Sequence, residues 1–166
     1  MRKNETPQDL ALYNLQVLFD VESVLEKALP KMIKASSDET LRSGFKTHLD
    51  QTIDQCKRLE KIFSILDKKP RKVKAEGIRA IIADNNTALE KLDDKVLINS
   101  ALASAARIIE HYEMALYIGA ITDAKNLGQP DIEDLLQRTL EEEEVMDGAL
   151  SVWVENNPPT MYLEKI

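Results

Sequence analysis

Leu102–Ala120 reads LASAARIIEHYEMALYIGA, and its apolar side chains recur every three or four residues. That spacing places them on one face of an α-helix, the face that packs against other helices. Glu113 interrupts this face midway, and Glu110 lies one turn earlier on the same side. The stretch therefore predicts a long helix that turns two carboxylates toward the protein interior.

The composition of the whole chain is that of a helical protein. Of its 166 residues, 43% are hydrophobic, 31% charged and 5% aromatic, and only 5 Gly and 6 Pro are present. So few turn-forming residues disfavour β-rich folds. The length suits one domain with its own core. We expect a single domain over 1–166, with a core at about 7–155 and a short C-terminal tail at 156–166.

Start and stop signals divide the chain into four long helices and one short helix. Thr6-Pro7 opens the first, and Pro30 predicts a kink or an early stop inside it. Ser36–Glu39 has the spacing of a capping box and opens the second helix. The predicted helices span 7 to about 34, about 39 to 67, about 75 to 92, about 94 to just before Gly128, and 130 to about 155.

Four long helices joined by short connections indicate an all-α protein with a four-helix bundle. The basic loop 68–72 and the short extra helix form a long bridge between the second and third long helices. Such a bridge lets those two helices run parallel, as in ferritin-like bundles.

Every long helix has a polar interruption in its apolar face. In the second helix His48, Thr52 and Gln55 interrupt the apolar face, which otherwise runs from Leu41 to Leu66. The interruptions fall near the helix middles, and the middles of helices of similar length meet at one depth in a bundle. We therefore expect six side chains to converge in the interior: Glu22, His48, Glu110, Glu113, Glu143 and Asp147.

Several ionised carboxylates cannot be buried together, because desolvation and mutual repulsion are too costly. Protonation with hydrogen bonding, or a bound divalent metal, would each neutralise them. Carboxylates and imidazole drawn from four helices build dinuclear iron or manganese sites. Taken singly, Glu22 also reads as a flank residue reaching water, and 141–144 as a mostly solvated face.

A family resemblance rests on the same residues. Glu110-His111-Tyr112-Glu113 near mid-chain resembles the YciE/YciF group of ferritin-like proteins, as do 139–143 with Asp147, and 48–52 with Gln55. The similarity covers about residues 7–155. It implies a ferritin-like bundle, usually dimeric, of bacterial origin and associated with stress responses. The acidic positions of the family fall on Glu22, Glu110, Glu113, Glu143 and Asp147, and its histidine in the second helix on His48.

The leading hypothesis is a stress protein holding two iron or manganese ions, which reduces peroxide or dioxygen or oxidises the metal. Glu113 and Glu143, each central in its apolar face, are the candidate bridging ligands. Glu22, Glu110 and Asp147 would be terminal ligands, and His48 a nitrogen ligand or a partner of one. The alternative is a non-enzymatic helical dimerisation module without metal, in which the polar groups set helix register.

Charge and composition also restrict partners and location. With 22 basic and 29 acidic residues the net charge is −7, which disfavours nucleic acid as a partner. No stretch suits a membrane span or a signal peptide, and the basic segment 68–74 has no adjacent apolar wedge for lipid. Cys56 is the single cysteine. We therefore expect a cytoplasmic protein that forms a homodimer and binds neither nucleic acid nor membrane.

Overall fold

The computed structural model describes residues 6–159, which form five α-helices and no strand. They are α1 (Pro7–Ala35), α2 (Glu39–Ile65), α3 (Glu76–Leu89), α4 (Lys95–Asn126) and α5 (Pro130–Asn156). The all-helical class is therefore confirmed. Most of the predicted tail, at 160–166, lies outside the described residues, as do residues 1–5.

Short polar side chains cap the N-termini of α1, α2 and α4. The Thr6 hydroxyl accepts the Asp9 N–H at 3.1 Å, as the Thr-Pro signal predicts. In α2 the predicted capping box at Ser36 is wrong, because Asp38 is the N-cap and accepts the Leu41 N–H at 2.8 Å. Ser36 instead terminates α1, and its hydroxyl lies 3.3 Å from the Asn99 amide oxygen.

Pro30 does not end α1, so the predicted early stop is wrong. The helix continues to Ala35 with Pro30 inside it and exposed. Leu29 and Met32 on either side are both buried in the core. Their packing holds the segment helical although proline removes one backbone hydrogen bond.

Gly128 ends α4, as predicted. Its φ of +65° places it in the left-handed region that glycine adopts without strain. The Gly128 N–H donates to the Lys125 carbonyl at 3.1 Å, and the Gln129 N–H to the Ala124 carbonyl at 2.9 Å. These two bonds form a Schellman motif. It turns the chain directly into α5.

The four long helices enclose a common interior. α1 packs against α2 and α4, and α5 packs against α4 and α2, while α3 lies against α4 and α1. One apolar cluster joins the C-terminal half of α1 to the beginnings of α2 and α4 and to the end of α5. A second joins the first half of α1 to the ends of α2 and α4 and to the beginning of α5. α2 and α4 therefore run in the same direction.

None of the helices within 6–159 combines the length and hydropathy that crossing a bilayer requires.

Candidate metal centre

Five polar side chains occupy the interior between the two apolar clusters, and we call them the central cluster. Each takes the place of an apolar residue on the buried face of a long helix, with two contributed by α4. None is more than 2% exposed. The members are Glu22 of α1, His48 of α2, Glu110 and Glu113 of α4, and Glu143 of α5.

His48 lies at the middle of three carboxylates. Its Nε2 is 3.5 Å from Glu110 Oε1 and 3.9 Å from Glu113 Oε2. Its Nδ1 is 3.8 Å from Glu143 Oε2. These four residues each offer one ligand atom, and the four atoms all lie within 4.8 Å of one another. Ligands of a single ion lie up to about 4.4 Å apart, so the spacing is close to that of a metal site.

Most polar atoms of the central cluster have no hydrogen-bond partner among the described residues. They are Glu22 Oε2, both His48 nitrogens, Glu110 Oε2, both Glu113 carboxylate oxygens and Glu143 Oε2. Buried polar groups are normally paired, and each one left unpaired costs about 1–3 kcal/mol. The carboxylate oxygens and one nitrogen of a neutral imidazole carry lone pairs, and those that His48, Glu110, Glu113 and Glu143 offer face one space, which fits a divalent cation.

Burial controls the protonation of the cluster. It raises the pKa of Glu22, Glu110 and Glu113 well above the ordinary value, and the neighbouring carboxylates raise each of them further. Burial likewise raises the pKa of Glu143, to about 6. It lowers the pKa of His48 to about 4, so the imidazole is neutral at pH 7. A neutral imidazole is the form that binds a metal, and a bound cation would favour the ionised carboxylates.

Glu22 is held by a tyrosine that the apolar pattern did not reveal. Tyr117 is fully buried, and its hydroxyl donates to Glu22 Oε1 at 2.5 Å. Leu116, which follows Glu113 by three residues, fits the apolar periodicity of α4 equally well but is only half-buried. Tyr117 follows Glu113 by four residues, a spacing that puts both on one helix face, and this signal could have identified it.

Glu143 is held by Gln55, which interrupts the apolar face of α2. Gln55 Nε2 donates to Glu143 Oε1 at 2.5 Å and to Glu142 Oε2 at 3.0 Å. Glu142 in turn forms an ion pair with Arg58. Thr52, the other interruption, is satisfied locally, because its hydroxyl donates to the His48 carbonyl at 2.9 Å.

Asp147 lies beside the central cluster and is engaged elsewhere. Arg107 Nε donates to Asp147 Oδ1 at 2.8 Å, and His111 Nε2 lies 3.5 Å from Asp147 Oδ2. Its side chain is 17% exposed, whereas that of Glu143, one turn earlier, is completely buried. The structure therefore does not bring Asp147 into the group around His48, and its role as a ligand stays a prediction.

The comparison with known proteins shows the family. Residues 6–159 match the family described as a domain of unknown function, DUF892. The chain belongs to the DUF892 family. This DUF892 chain is 32% identical to protein YciF of Escherichia coli strain K12 over 154 residues, which is 92% of the chain and 93% of YciF. The predicted resemblance to the YciE/YciF group is confirmed.

Solved structures agree with this assignment. The DUF892 chain matches the crystal structure of the E. coli stress protein YciF with a TM-score of 0.88 and 31% identity, over 92% of this chain and 97% of that one. YcfI from Rhodopseudomonas palustris matches with a TM-score of 0.89 and 33% identity, over 90% and 96%. A protein from Xanthomonas campestris pv. campestris, 17% identical, shares the fold with a TM-score of 0.75, over 96% and 98%.

Proposed function

We propose that this DUF892 protein is a ferritin-like stress protein with two iron or manganese ions inside a four-helix bundle. In this proposal α1, α2, α4 and α5 form the bundle and α3 is the extra helix. The observation that carries it is the set of buried His48 and glutamate atoms without partners. Similarity to a protein named for stress, YciF, supports the biological setting.

The position of each residue in the central cluster suggests its role as a ligand. Glu113 and Glu143 would bridge the ions, Glu22 and Glu110 would bind at the ends, and His48 would supply a nitrogen ligand. Asp147 is the weakest candidate for a terminal ligand, because Arg107 already pairs with it. When bound, a pair of iron or manganese ions would supply the redox chemistry, since electrons that pass from the ions to peroxide or dioxygen oxidise the ions.

The surrounding residues orient these ligands. Tyr117 donates to Glu22 Oε1 and so fixes that carboxylate, leaving Oε2 without a partner. Gln55 does the same for Glu143 Oε1 and leaves its Oε2 facing His48. The two apolar clusters on either side exclude water from the ligands. Fixed ligands and a dry cavity are what a protein contributes to metal-ion chemistry.

Metal analysis tests this proposal. The protein would be expressed in medium with added iron and manganese, purified without chelator, and analysed by inductively coupled plasma mass spectrometry. We expect about two ions per chain, and a higher melting temperature when Fe²⁺ or Mn²⁺ is added to apo protein. Metal content near zero, with an unchanged melting temperature, would overturn the proposal.

A homodimerisation module without metal is the second candidate. The observation that favours it is a set of exposed apolar side chains on α4 and α5. Ile108 is 55% exposed, Ile118 54%, Val145 71% and Val152 57%. Val145 and Val152 are two turns apart and so lie on the same face of α5. In either candidate we propose a cytoplasmic homodimer that binds neither nucleic acid nor membrane.

Oligomeric state and metal content together separate the two candidates. Light scattering during size-exclusion chromatography would compare the wild type with Val145→Glu. A dimer in the wild type and a monomer in the variant would support this surface as the interface. The module without metal is supported only if the dimer also contains no metal and Glu113→Gln leaves its stability unchanged or raised.

A further inference from the structure

The central cluster is closed to solvent, so an ion needs a route to it. α2 packs against α5 less extensively than any other neighbouring pair of long helices. An open cleft of about 480 Å³ lies on this seam. It is lined by Gln51, Arg58, Arg138, Glu141, Glu142 and Val145.

A single nitrogen atom connects the cleft to the central cluster. The side chain of Glu142 lines the cleft and is 28% exposed. Gln55 Nε2 donates to Glu142 Oε2 at 3.0 Å and to the buried Glu143 Oε1 at 2.5 Å. Gln55 itself is fully buried, and its Oε1 has no partner among residues 6–159. Glu142 in the cleft, the Gln55 amide group and Glu143 of the central cluster therefore follow one another inward.

Arg58 closes this path in the structure. Its Nη1 donates to Glu142 Oε2 at 3.0 Å and its Nη2 to Glu142 Oε1 at 2.9 Å. The guanidinium also donates to the Thr139 hydroxyl at 2.5 Å. It therefore keeps one polar partner if a cation takes its place at Glu142. A cation that replaces Arg58 leaves Glu142 paired with a positive charge throughout, so the exchange avoids an unpaired carboxylate.

We propose that the cleft between α2 and α5 is the route by which a divalent cation reaches the central cluster. Glu142 binds the cation transiently, Gln55 offers its amide oxygen on the way inward, and Arg58 is the closure that the cation displaces. This inference rests on the proposed function, because it requires that the central cluster binds metal. Oxygen ligands of this kind suit Mn²⁺ and Fe²⁺.

A residue on the route acts on the barrier between free and bound ion, so its replacement changes the association and release rate constants in the same direction. The charges of Glu142 and Arg58 also act on the Glu143 carboxylate, so the two rate constants need not change by equal factors. We expect Glu142→Gln to slow both about tenfold, because the transient ligand loses its charge. We expect Arg58→Gln to accelerate both about tenfold, because the closure is gone. General destabilisation of the fold cannot produce effects of opposite sign.

Rapid mixing measures these rates on the full chain in its apo form. Binding of Mn²⁺ would be followed with a metallochromic indicator in a stopped-flow instrument, and release by transfer to excess EDTA. Glu144→Gln is the matched control, because Glu144 is exposed on the same helix, carries the same charge and lies outside the cleft lining. We expect wild-type rates in this control.

The outcomes distinguish the route from the site. If Glu142→Gln and Arg58→Gln bind Mn²⁺ with wild-type rates, the route is overturned while the metal site stands. A change in the dissociation constant with an unchanged association rate, in both variants, likewise overturns the route. If wild-type protein takes up no Mn²⁺ or Fe²⁺, the proposed function fails and the route fails with it.

Discussion

Asp20 and Glu22 are two residues apart in α1, both are buried, and their carboxylates behave in opposite ways. Burial pushes the pKa of Asp20 upward, but hydrogen bonds from Arg79 and the Ala75 N–H outweigh it and hold the pKa below its ordinary value. Burial raises the pKa of Glu22 well above its ordinary value, and the carboxylate of Glu143 raises it further. Its one bond from Tyr117 does not compensate.

The partners of Asp20 account for the difference. Asp20 faces α3, where the Ala75 N–H donates at 2.8 Å and Arg79 donates to both carboxylate oxygens. Glu22 faces the interior, where its neighbours are other carboxylates. Burial alone therefore does not make a carboxylate a candidate ligand. A buried carboxylate becomes a candidate ligand when it lacks hydrogen-bond donors that would compensate for burial. This difference distinguishes Glu22 from Asp20 on the same helix.

The largest expected effect is on metal affinity, at the central cluster, whose carboxylates lack compensating hydrogen-bond donors. Glu113→Gln removes a central carboxylate that has no partner on either oxygen, so we expect the Mn²⁺ affinity to fall at least about 100-fold. Isothermal titration calorimetry of apo protein measures this. The apo stability of the variant should stay the same or rise, because a neutral amide suits a dry interior. An unchanged affinity would show that Glu113 is no ligand.

Substitution of Asp20 should lower the stability of the apo protein, whereas substitution of Glu113 should not. Asp20→Asn removes the charge that binds Arg79 and the Ala75 N–H, so we expect the free energy of unfolding to fall by about 2–3 kcal/mol. Urea denaturation measures the change. Asp84→Asn, at an exposed position of α3, is the control and should change it by less than about 0.5 kcal/mol. Equal effects of the two substitutions would contradict the assigned role of Asp20.

The pH dependence of apo stability tests the central cluster as a whole. Folded-state pKa values raised above the ordinary 4.5 mean that folding takes up protons on Glu22, Glu110 and Glu113. That stabilisation is complete below the ordinary value and is lost as the pH rises through the raised values. Glu143 follows the same rule, and its share is lost as the pH rises through about 6.

His48 works against this trend. Its folded pKa of about 4 lies below the ordinary 6.5, so its contribution is present above pH 6.5 and is lost as the pH falls toward 4. Four carboxylates outweigh one imidazole. We expect apo protein to be about 1–2 kcal/mol more stable at pH 5.5 than at pH 7.5, measured by urea denaturation at both values.

Two controls accompany the pH measurement. Metal should reverse the trend, because protons compete for its ligands. Solubility must be checked by light scattering, since the sequence pI is near 5.0. A steady rise in apo stability from pH 5.5 to 7.5 would mean that the carboxylates are solvated or ion-paired.

The smallest expected effect concerns Asp147. Arg107 and His111 already engage this residue, so Asp147→Asn should change the Mn²⁺ affinity by less than about threefold. Calorimetry under the conditions used for Glu113→Gln measures it. A loss as large as that of Glu113→Gln would place Asp147 among the ligands after all.

The periodicity of the sequence already predicts most of the central cluster. Glu22, His48 and Glu113 replace apolar residues at helical spacing, and the structure buries all three. The same local logic predicts the five helices, because caps such as Thr6 and Gly128 act within a few residues of the chain.

Neighbours on one face of a helix are three or four residues apart, so periodicity alone does not say which of two adjacent residues is buried. Packing against the other helices decides between them. Leu116 and Tyr117 both follow Glu113 at such a spacing, yet the structure buries Tyr117 completely and leaves Leu116 half-buried. The resolution depends on how α4 is rotated against α1, where Tyr117 meets Glu22. That rotation is a property of the assembled core.

Composition, caps and apolar periodicity determine by themselves that this chain is helical and that it buries polar groups near the helix middles. Tertiary structure decided which of those groups are satisfied. Asp20 meets Arg79 59 positions along the chain, and Asp147 meets Arg107 40 positions away, whereas Glu113 meets no donor among the described residues. Such pairings depend on distances between helices, and a pattern of residues within one helix contains no information about those distances.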